Sequence, residues 1–470
     1  MGLQFNLMSN DFSSFSELKV WSGLIQMFIL VGALLVGNTL RRKIPFLRRS
    51  LMPTALIGGF VILMLKFIPA FNDLVDKPLM EQVTYHTLAI GFIALALKRG
   101  KQTKKSIGTI VETGLVTGAT YAMQAVLGIA VTVIISLVVV TDIIPGGGVL
   151  LALGFGQGTG QALTYGKMYE SEFNFAGGAT FGLSVATIGF FVASVVGVVY
   201  MNILRRKGKL NHTNGRKGLS EDITDYVHKN DIPNSESIDK LTMNVSLVLF
   251  VYAIVYLIMS LINMELVWGF NFLLGSLFAL VVKLTLNLLQ KKNIVHRNLT
   301  NDYLLDRIGG LVFDIMIIAG VAAIDLTEFS KMWLPLTIVC TVGTIATFIY
   351  IRFASNELYK GYEHEGFFSM FGMLTGTASN GMILLRELDP GYETPASTNL
   401  VFSSLPAIAF GGGLLLVLGY CPKGLTESLV TMGILSVGFI VFTLIIFRRK
   451  IFKKYKKVSA QEENNFINET

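Results

Sequence analysis

Two short stretches hold the residue types that could bind a solute. They read Gly154-Phe-Gly-Gln157-Gly158-Thr159-Gly160-Gln161-Ala162 and Gly372-Met-Leu-Thr375-Gly376-Thr377-Ala378-Ser379-Asn380-Gly381. Both follow the pattern Gly-x-x-x-Gly-Thr and continue into small and amide side chains. Glycine inside a helix costs about 1 kcal/mol relative to alanine, so such clusters mark backbone that is broken or closely approached. At membrane depth, irregular backbone survives only where protein or a water-filled cavity surrounds it. The expected chemistry is that of helix ends. Around Gln157, Gly158, Thr159, Gly160 and Gln161, freed N–H groups and side-chain dipoles bind a carboxylate, while freed carbonyls bind sodium. Thr375, Gly376, Thr377, Ser379 and Asn380 are expected to do the same at the second tip. The plain alternative is close helix packing through small residues; packing alone does not call for the glutamines that flank the glycines.

Asp314 is the third candidate. It sits in the middle of an apolar segment, 309–324, where an ionised carboxylate costs about 2.5–3.5 kcal/mol and requires a partner. That partner is sodium, a substrate ammonium, a proton, or a basic side chain such as Lys283 or Arg307. Sodium is expected near Thr159, Thr377 and Asp314, and Asp314→Asn is expected to abolish coupled uptake with folding intact. Glu112 lies nearer a span end and reads as interfacial. Lys167 and Arg386, on the descending arms of the two tips, could attract an anion or snorkel to the interface. Lys66, Lys283 and His86 read as interface residues; Asn244 and Asn271 suit ion binding or helix packing equally.

Several chemistries are absent from the sequence. The first tip lacks the Gly-Lys-[Ser/Thr] ending of a phosphate-binding loop, which excludes nucleotide-driven transport within this chain. No paired catalytic carboxylates, no Ser/His/Asp set and no redox motif occur, so the chain does not read as an enzyme. Cys340 and Cys421 have no companion at ligand spacing and form neither a disulfide framework nor a metal site.

The elements that must position the tips are membrane helices. Hydrophobic residues make up 52% of the 470 positions, charged residues 15%, and mean hydropathy is +0.60. The net charge of +8 falls in short clusters between apolar segments, as in the positive-inside pattern, and does not form a nucleic-acid-binding face. The first 19 residues do not read as a cleaved signal.

Five spans are expected at 20–40, 51–68, 87–97, 107–140 and 175–204, with a re-entrant hairpin at about 149–169. The third can begin before its apolar run, and the fourth is long enough to be tilted, broken or preceded by an interfacial turn. A polar cytoplasmic linker, 205–240, follows. Spans at 241–263, 267–289, 309–324, 333–351 and 398–418, with a hairpin at about 366–388, repeat the plan. A short amphipathic piece holding Asp302, Asp306 and Arg307 precedes the third of these. An eleventh span at 425–447 ends in a basic tail between Arg448 and Lys457. The clusters after residues 40, 97, 204 and 289 place those loops and the C-terminus in the cytoplasm and the N-terminus outside.

The fold class is therefore an all-α polytopic membrane protein: two inverted repeats of five transmembrane helices, each with a re-entrant hairpin, plus an eleventh helix. The units are residues 1–204, the linker 205–240, 241–420, and 421–470. Inverted repeats with broken elements at the midplane characterise secondary transporters.

With that pattern in view, the chain resembles the bacterial sodium:glutamate symporter family. The likeness lies in Ile44-Pro-Phe-Leu-Arg-Arg-Ser-Leu-Met-Pro53-Thr-Ala-Leu-Ile-Gly58-Gly59, in Gly156-Gln-Gly158-Thr159-Gly160-Gln-Ala162, and in Ala179-Thr-Phe-Gly182-Leu183. Leu374-Thr-Gly376-Thr377-Ala378-Ser379 is similar in outline only, lacking the proline of the family's second loop. Gln157 stands where a histidine is common, and the eleventh span exceeds the usual ten. The resemblance covers about residues 20–420. It implies sodium-coupled symport of glutamate or a related anionic amino acid by a homodimer in a bacterial-type plasma membrane, with sodium in place of any cofactor. Alternatives are a proton- or sodium-coupled carrier of another small carboxylate, and a channel or non-transporting sensor on the same fold.

Overall fold

The structure, a computed structural model, describes residues 18–49, 51–98, 107–138, 143–210, 234–262, 265–268, 271–294, 299–389, 394–403, 407 and 417–468. Regular structure among these is entirely helical. The principal helices are α1 (Leu18–Lys43), α2 (Thr54–Leu65), α3 (Lys77–Leu97), α4 (Ile107–Val138), α5 (Leu150–Gln157), α6 (Thr159–Phe173) and α7 (Gly178–Arg206). The second half contributes α8 (Asn234–Ile262), α9 (Asn271–Lys291), α10 (Asp302–Ala322), α11 (Leu326–Leu358), α12 (Glu363–Thr375), α13 (Ala378–Arg386), α14 (Ala396–Phe402) and α15 (Leu425–Asn468).

Seven of the described helices are long and apolar enough to cross a membrane: α1, α4, α7, α8, α9, α11 and α15. The protein is a multi-pass membrane protein. Capping explains where the other expected spans start. Asp76 accepts from the Leu79 N–H at 3.1 Å, so α3 begins ten residues before its apolar run. Asn301 does the same for Leu304, so the piece holding Asp302, Asp306 and Arg307 is the first part of α10 and not a separate amphipathic element. The 32 residues of α4 run unbroken, about 48 Å at 1.5 Å per residue. By contrast α2 has only 12 residues, set between Pro53 and Lys66. The expected span at 398–418 falls mostly outside the described residues, with α14 at its start. Most of the linker, 211–233, lies outside them too.

Two packing relations organise the bundle. α3 lies along α10, with α9 on α3 and α2 on α10; α4 lies along α11. The second concerns α7, which contacts both arms of both broken elements through small residues. Its Gly182 meets the Ala162 backbone on α6, Gly189 the Thr375 carbonyl at the end of α12, and Gly197 the Leu384 side chain on α13. A methyl at any of these would collide, so the helix is notched to let the chain breaks approach. Val185, also on α7, packs against Gly154 of α5.

Candidate functional site

Helix α5 ends at Gln157 and α6 starts at Thr159, with Gly158 alone between them at φ 82°, ψ −170°. That conformation is essentially restricted to glycine. Helix α12 ends at Thr375 and α13 starts at Ala378, so Gly376 and Thr377 form the second break. The breaks meet: a Cβ on Gly158 would lie 3.3 Å from Thr377 Cγ2 and 3.6 Å from Phe190 Cζ of α7. Neither break has a side-chain cap at its flanking helix ends. Each therefore presents the negative end of one helix and the positive end of the next to the same small volume.

The side chains around the breaks are buried and underused. Thr159 and Gln161 are fully buried, yet Thr159 Oγ1 and both polar atoms of the Gln161 amide have no hydrogen-bond partner among the described residues. Ser184 Oγ, on α7, is in the same condition. At the second break Thr377 Oγ1 donates to Asn380 Oδ1 at 2.9 Å, while Asn380 Nδ2 is buried without a partner. Leaving a buried donor or acceptor unpaired costs about 1–3 kcal/mol, so these atoms are candidates for bonding a solute, an ion or water.

Of the expected site residues, Gly158, Thr159 and Thr377 come together here, joined by Gly320 of α10, whose missing side chain lets Thr159 pack against it. Gln157 is the partly exposed last residue of α5. Gly160 packs on Leu88 of α3, a packing role, and Gly376 packs on the Asn380 amide. Thr375 is buried, its hydroxyl donating to the Phe371 carbonyl at 2.7 Å. Ser379 lies in the first turn of α13.

Asp314 is elsewhere. It precedes Gly320 by six residues, about 9 Å along α10. Its nearby charge is Arg41 of α1, which also feels Arg386 and Glu387 at the end of α13. Of the two cations named from the sequence, Lys283 donates to the Lys98 carbonyl, and the Arg307 guanidinium stacks 5.0 Å over the Tyr303 ring.

Other side chains gain definite partners. Lys167 bridges Glu81 at 3.1 Å and Glu170 at 3.2 Å, tying α6 to α3. Glu112 pairs with Arg448 at 3.5 Å. Asn244 binds the Lys240 carbonyl at 2.6 Å and accepts from the Asn301 N–H at 3.1 Å; Asn271 donates to the Tyr85 carbonyl at 3.2 Å. His86 Nδ1 meets the Tyr252 hydroxyl at 2.7 Å. Lys66, expected as an interface residue, has defined partners within the protein. It is buried, and its ammonium donates to the carbonyls of Ala322 at 3.0 Å and Ile324 at 2.6 Å, at the C-terminal end of α10.

Two residues that touch the breaks escaped sequence reasoning. On α4, the Tyr121 hydroxyl donates to the Gly156 carbonyl at 3.0 Å. One turn on, Gln124 Nε2 lies 2.8 Å from the Leu374 carbonyl and 2.9 Å from Thr347 Oγ1 of α11. A lone amide in a long apolar helix was the available signal. No group of three His, Cys, Asp or Glu able to hold a metal occurs among the described residues. A cation at the breaks would be held by carbonyl, hydroxyl and amide oxygens.

A bundle of membrane-spanning helices that brings two helix breaks together, with unpaired polar side chains at each, has the features of a solute transporter. The chain belongs to the sodium/glutamate symporter family, whose profile matches residues 17–364. The match includes the first break and stops at the start of α12, short of the second. Neither a curated protein nor a solved structure matches the chain.

Proposed function

We propose that this protein is a sodium-coupled symporter of glutamate or a closely related anionic amino acid, and that solute and sodium bind between the two breaks. The observation that carries the reading is the close approach of Gly158 to Thr377, together with the unpaired polar atoms of Thr159, Gln161 and Asn380 in the first turns after the two breaks. The N-terminal turns of α6 and α13 offer N–H groups and positive dipole ends to a substrate carboxylate. The last carbonyls of α5 and α12 offer oxygens to sodium, beside the hydroxyls of Thr159 and Thr377. Asp314, near Arg41, balances charge on the path past α13 and is not a sodium ligand in this reading.

The pairs α5/α6 and α12/α13 are re-entrant hairpins in this proposal, entering from opposite sides of the membrane. Support comes from how the halves exchange roles: α3 carries α9 as α10 carries α2, and the fourth helices, α4 and α11, lie along one another. Such exchange is expected of inverted repeats at 1–204 and 241–420, joined by the linker 205–240 and followed by the extra span of 421–470. The positive-inside pattern supports an external N-terminus with cytoplasmic linker and C-terminus. Homodimeric assembly follows from the family resemblance alone.

The test is uptake of radiolabelled glutamate into proteoliposomes under an imposed sodium gradient, with potassium in its place as control. Accumulation with sodium only, competed by aspartate, is the expected result. No accumulation by folded protein under either gradient would overturn the glutamate assignment and send the search to other carboxylates.

A further inference from the structure

Both breaks are tied to a single helix that belongs to neither. Tyr121 and Gln124 stand at i and i+3 on α4 and so share one face. Each donates to a carbonyl in the last turn before a break: Gly156 before the first, Leu374 before the second. These are the carbonyls that a helix end leaves without an intrahelical partner. The Gln124 amide is fixed in orientation by this bond, because only its nitrogen can donate to a carbonyl oxygen. Thr347 of α11 closes the other side of that nitrogen, and Gln124 Oε1 is buried with no partner of its own among the described residues.

We propose that Gln124 is a positioning residue for the cation at the second break, with Tyr121 in the corresponding role at the first. By occupying the Leu374 carbonyl, the amide holds the end of α12 in one orientation, so that the remaining terminal oxygens converge. The bond also fixes the second break at a set distance from the first, since both hang from adjacent turns of α4. Sodium affinity then depends on a residue that need not touch sodium. The inference rests on the proposed site between the breaks.

The experiment compares wild type with Gln124→Leu and Gln124→Glu, reading the sodium concentration that half-saturates thermal stabilisation in detergent, without substrate. Glutamate uptake is measured separately. The leucine fills the same space without donating, so the sodium midpoint is expected to rise about tenfold, the equivalent of one hydrogen bond. The glutamate variant can donate to the Leu374 carbonyl only while protonated. Its sodium midpoint should therefore approach wild type at low pH and worsen as pH rises, a dependence that a packing role would not produce. Equal midpoints in all three proteins, a pH-independent glutamate variant, or no sodium stabilisation of wild type would overturn the inference. Sodium stabilisation of wild type without glutamate uptake would overturn the substrate assignment and leave the Gln124 result to stand.

Discussion

Replacing Gly158 by alanine should disable the first break without unfolding the protein. The backbone there sits at φ 82°, ψ −170°, where a side chain costs about 1–3 kcal/mol. The added methyl would lie 3.3 Å from Thr377 Cγ2, which must give by a few tenths of an ångström, and 3.6 Å from Phe190 Cζ, an ordinary contact, so the backbone is the dominant penalty. The variant chain relieves it by rotating out of that conformation, which carries Thr159 away from Gly320 and misdirects the first N–H groups of α6. A penalty of 1–3 kcal/mol lowers the population of the competent tip by roughly fivefold to 150-fold, and apparent affinity falls by the same factor. Sodium-driven uptake in proteoliposomes, with initial rates across substrate concentration, measures this directly. Gly433→Ala on α15, where no atom lies within 4 Å of the new methyl, is the control for substitution as such. A Gly158→Ala protein that transports within twofold of wild type would refute the argument, because its tip would then not require the conformation that only glycine adopts.

Two further substitutions separate binding from support. Asp314→Asn should slow uptake several-fold by leaving Arg41 and Arg386 less well balanced, while the sodium dependence of uptake stays unchanged; loss of sodium dependence would return Asp314 to the ion site. Lys66→Met keeps the buried stem and removes an ammonium that donates to Ala322 and Ile324, each charged bond worth about 1.5–3 kcal/mol. Its thermal midpoint should drop while Lys66→Arg retains most of the stability, and an unchanged midpoint in Lys66→Met would remove the capping role.

The breaks were legible in the sequence because glycine signals them locally. A cluster of it in an apolar segment is explained by the same backbone in any topology, and Gly158 and Gly376 fell where the pattern placed them. Helix starts were less legible: the apolar runs at 87 and 309 conceal helices that begin at Lys77 and Asp302, since hydropathy ignores the capping of Asp76 and Asn301. The partners of Lys66, and Gln124 altogether, escape the sequence for a different reason. A lysine at the end of an apolar helix looks the same in one dimension whether it snorkels or reaches a carbonyl 256 positions away. The partners of Gln124 are 223 and 250 positions distant, and no local pattern reports them. Asp314 was recognised as costly, but its nearby cation, Arg41, lies on the first span.

The two breaks are not equivalent, and the difference predicts how they divide the work. At the first, Thr159 and Gln161 are fully buried, and three of their side-chain polar atoms have no partner among the described residues and are free to bond a ligand. At the second, Thr377 already donates to Asn380 Oδ1, and a single unpaired side-chain atom, Asn380 Nδ2, is left. The first tip should therefore contribute more of the substrate affinity. Gln161→Leu removes a donor to a carboxylate, worth about 1.5–3 kcal/mol, and should weaken apparent glutamate affinity roughly tenfold or more. The same change relieves the unpaired amide, so the substrate-free protein should melt at an equal or higher temperature. Thr377→Val loses one neutral bond of about 1 kcal/mol, which is roughly fivefold at most. A structural role for Gln161 predicts the opposite pairing, with lower stability and unaltered affinity, and thermal melts with and without glutamate distinguish the two in one experiment.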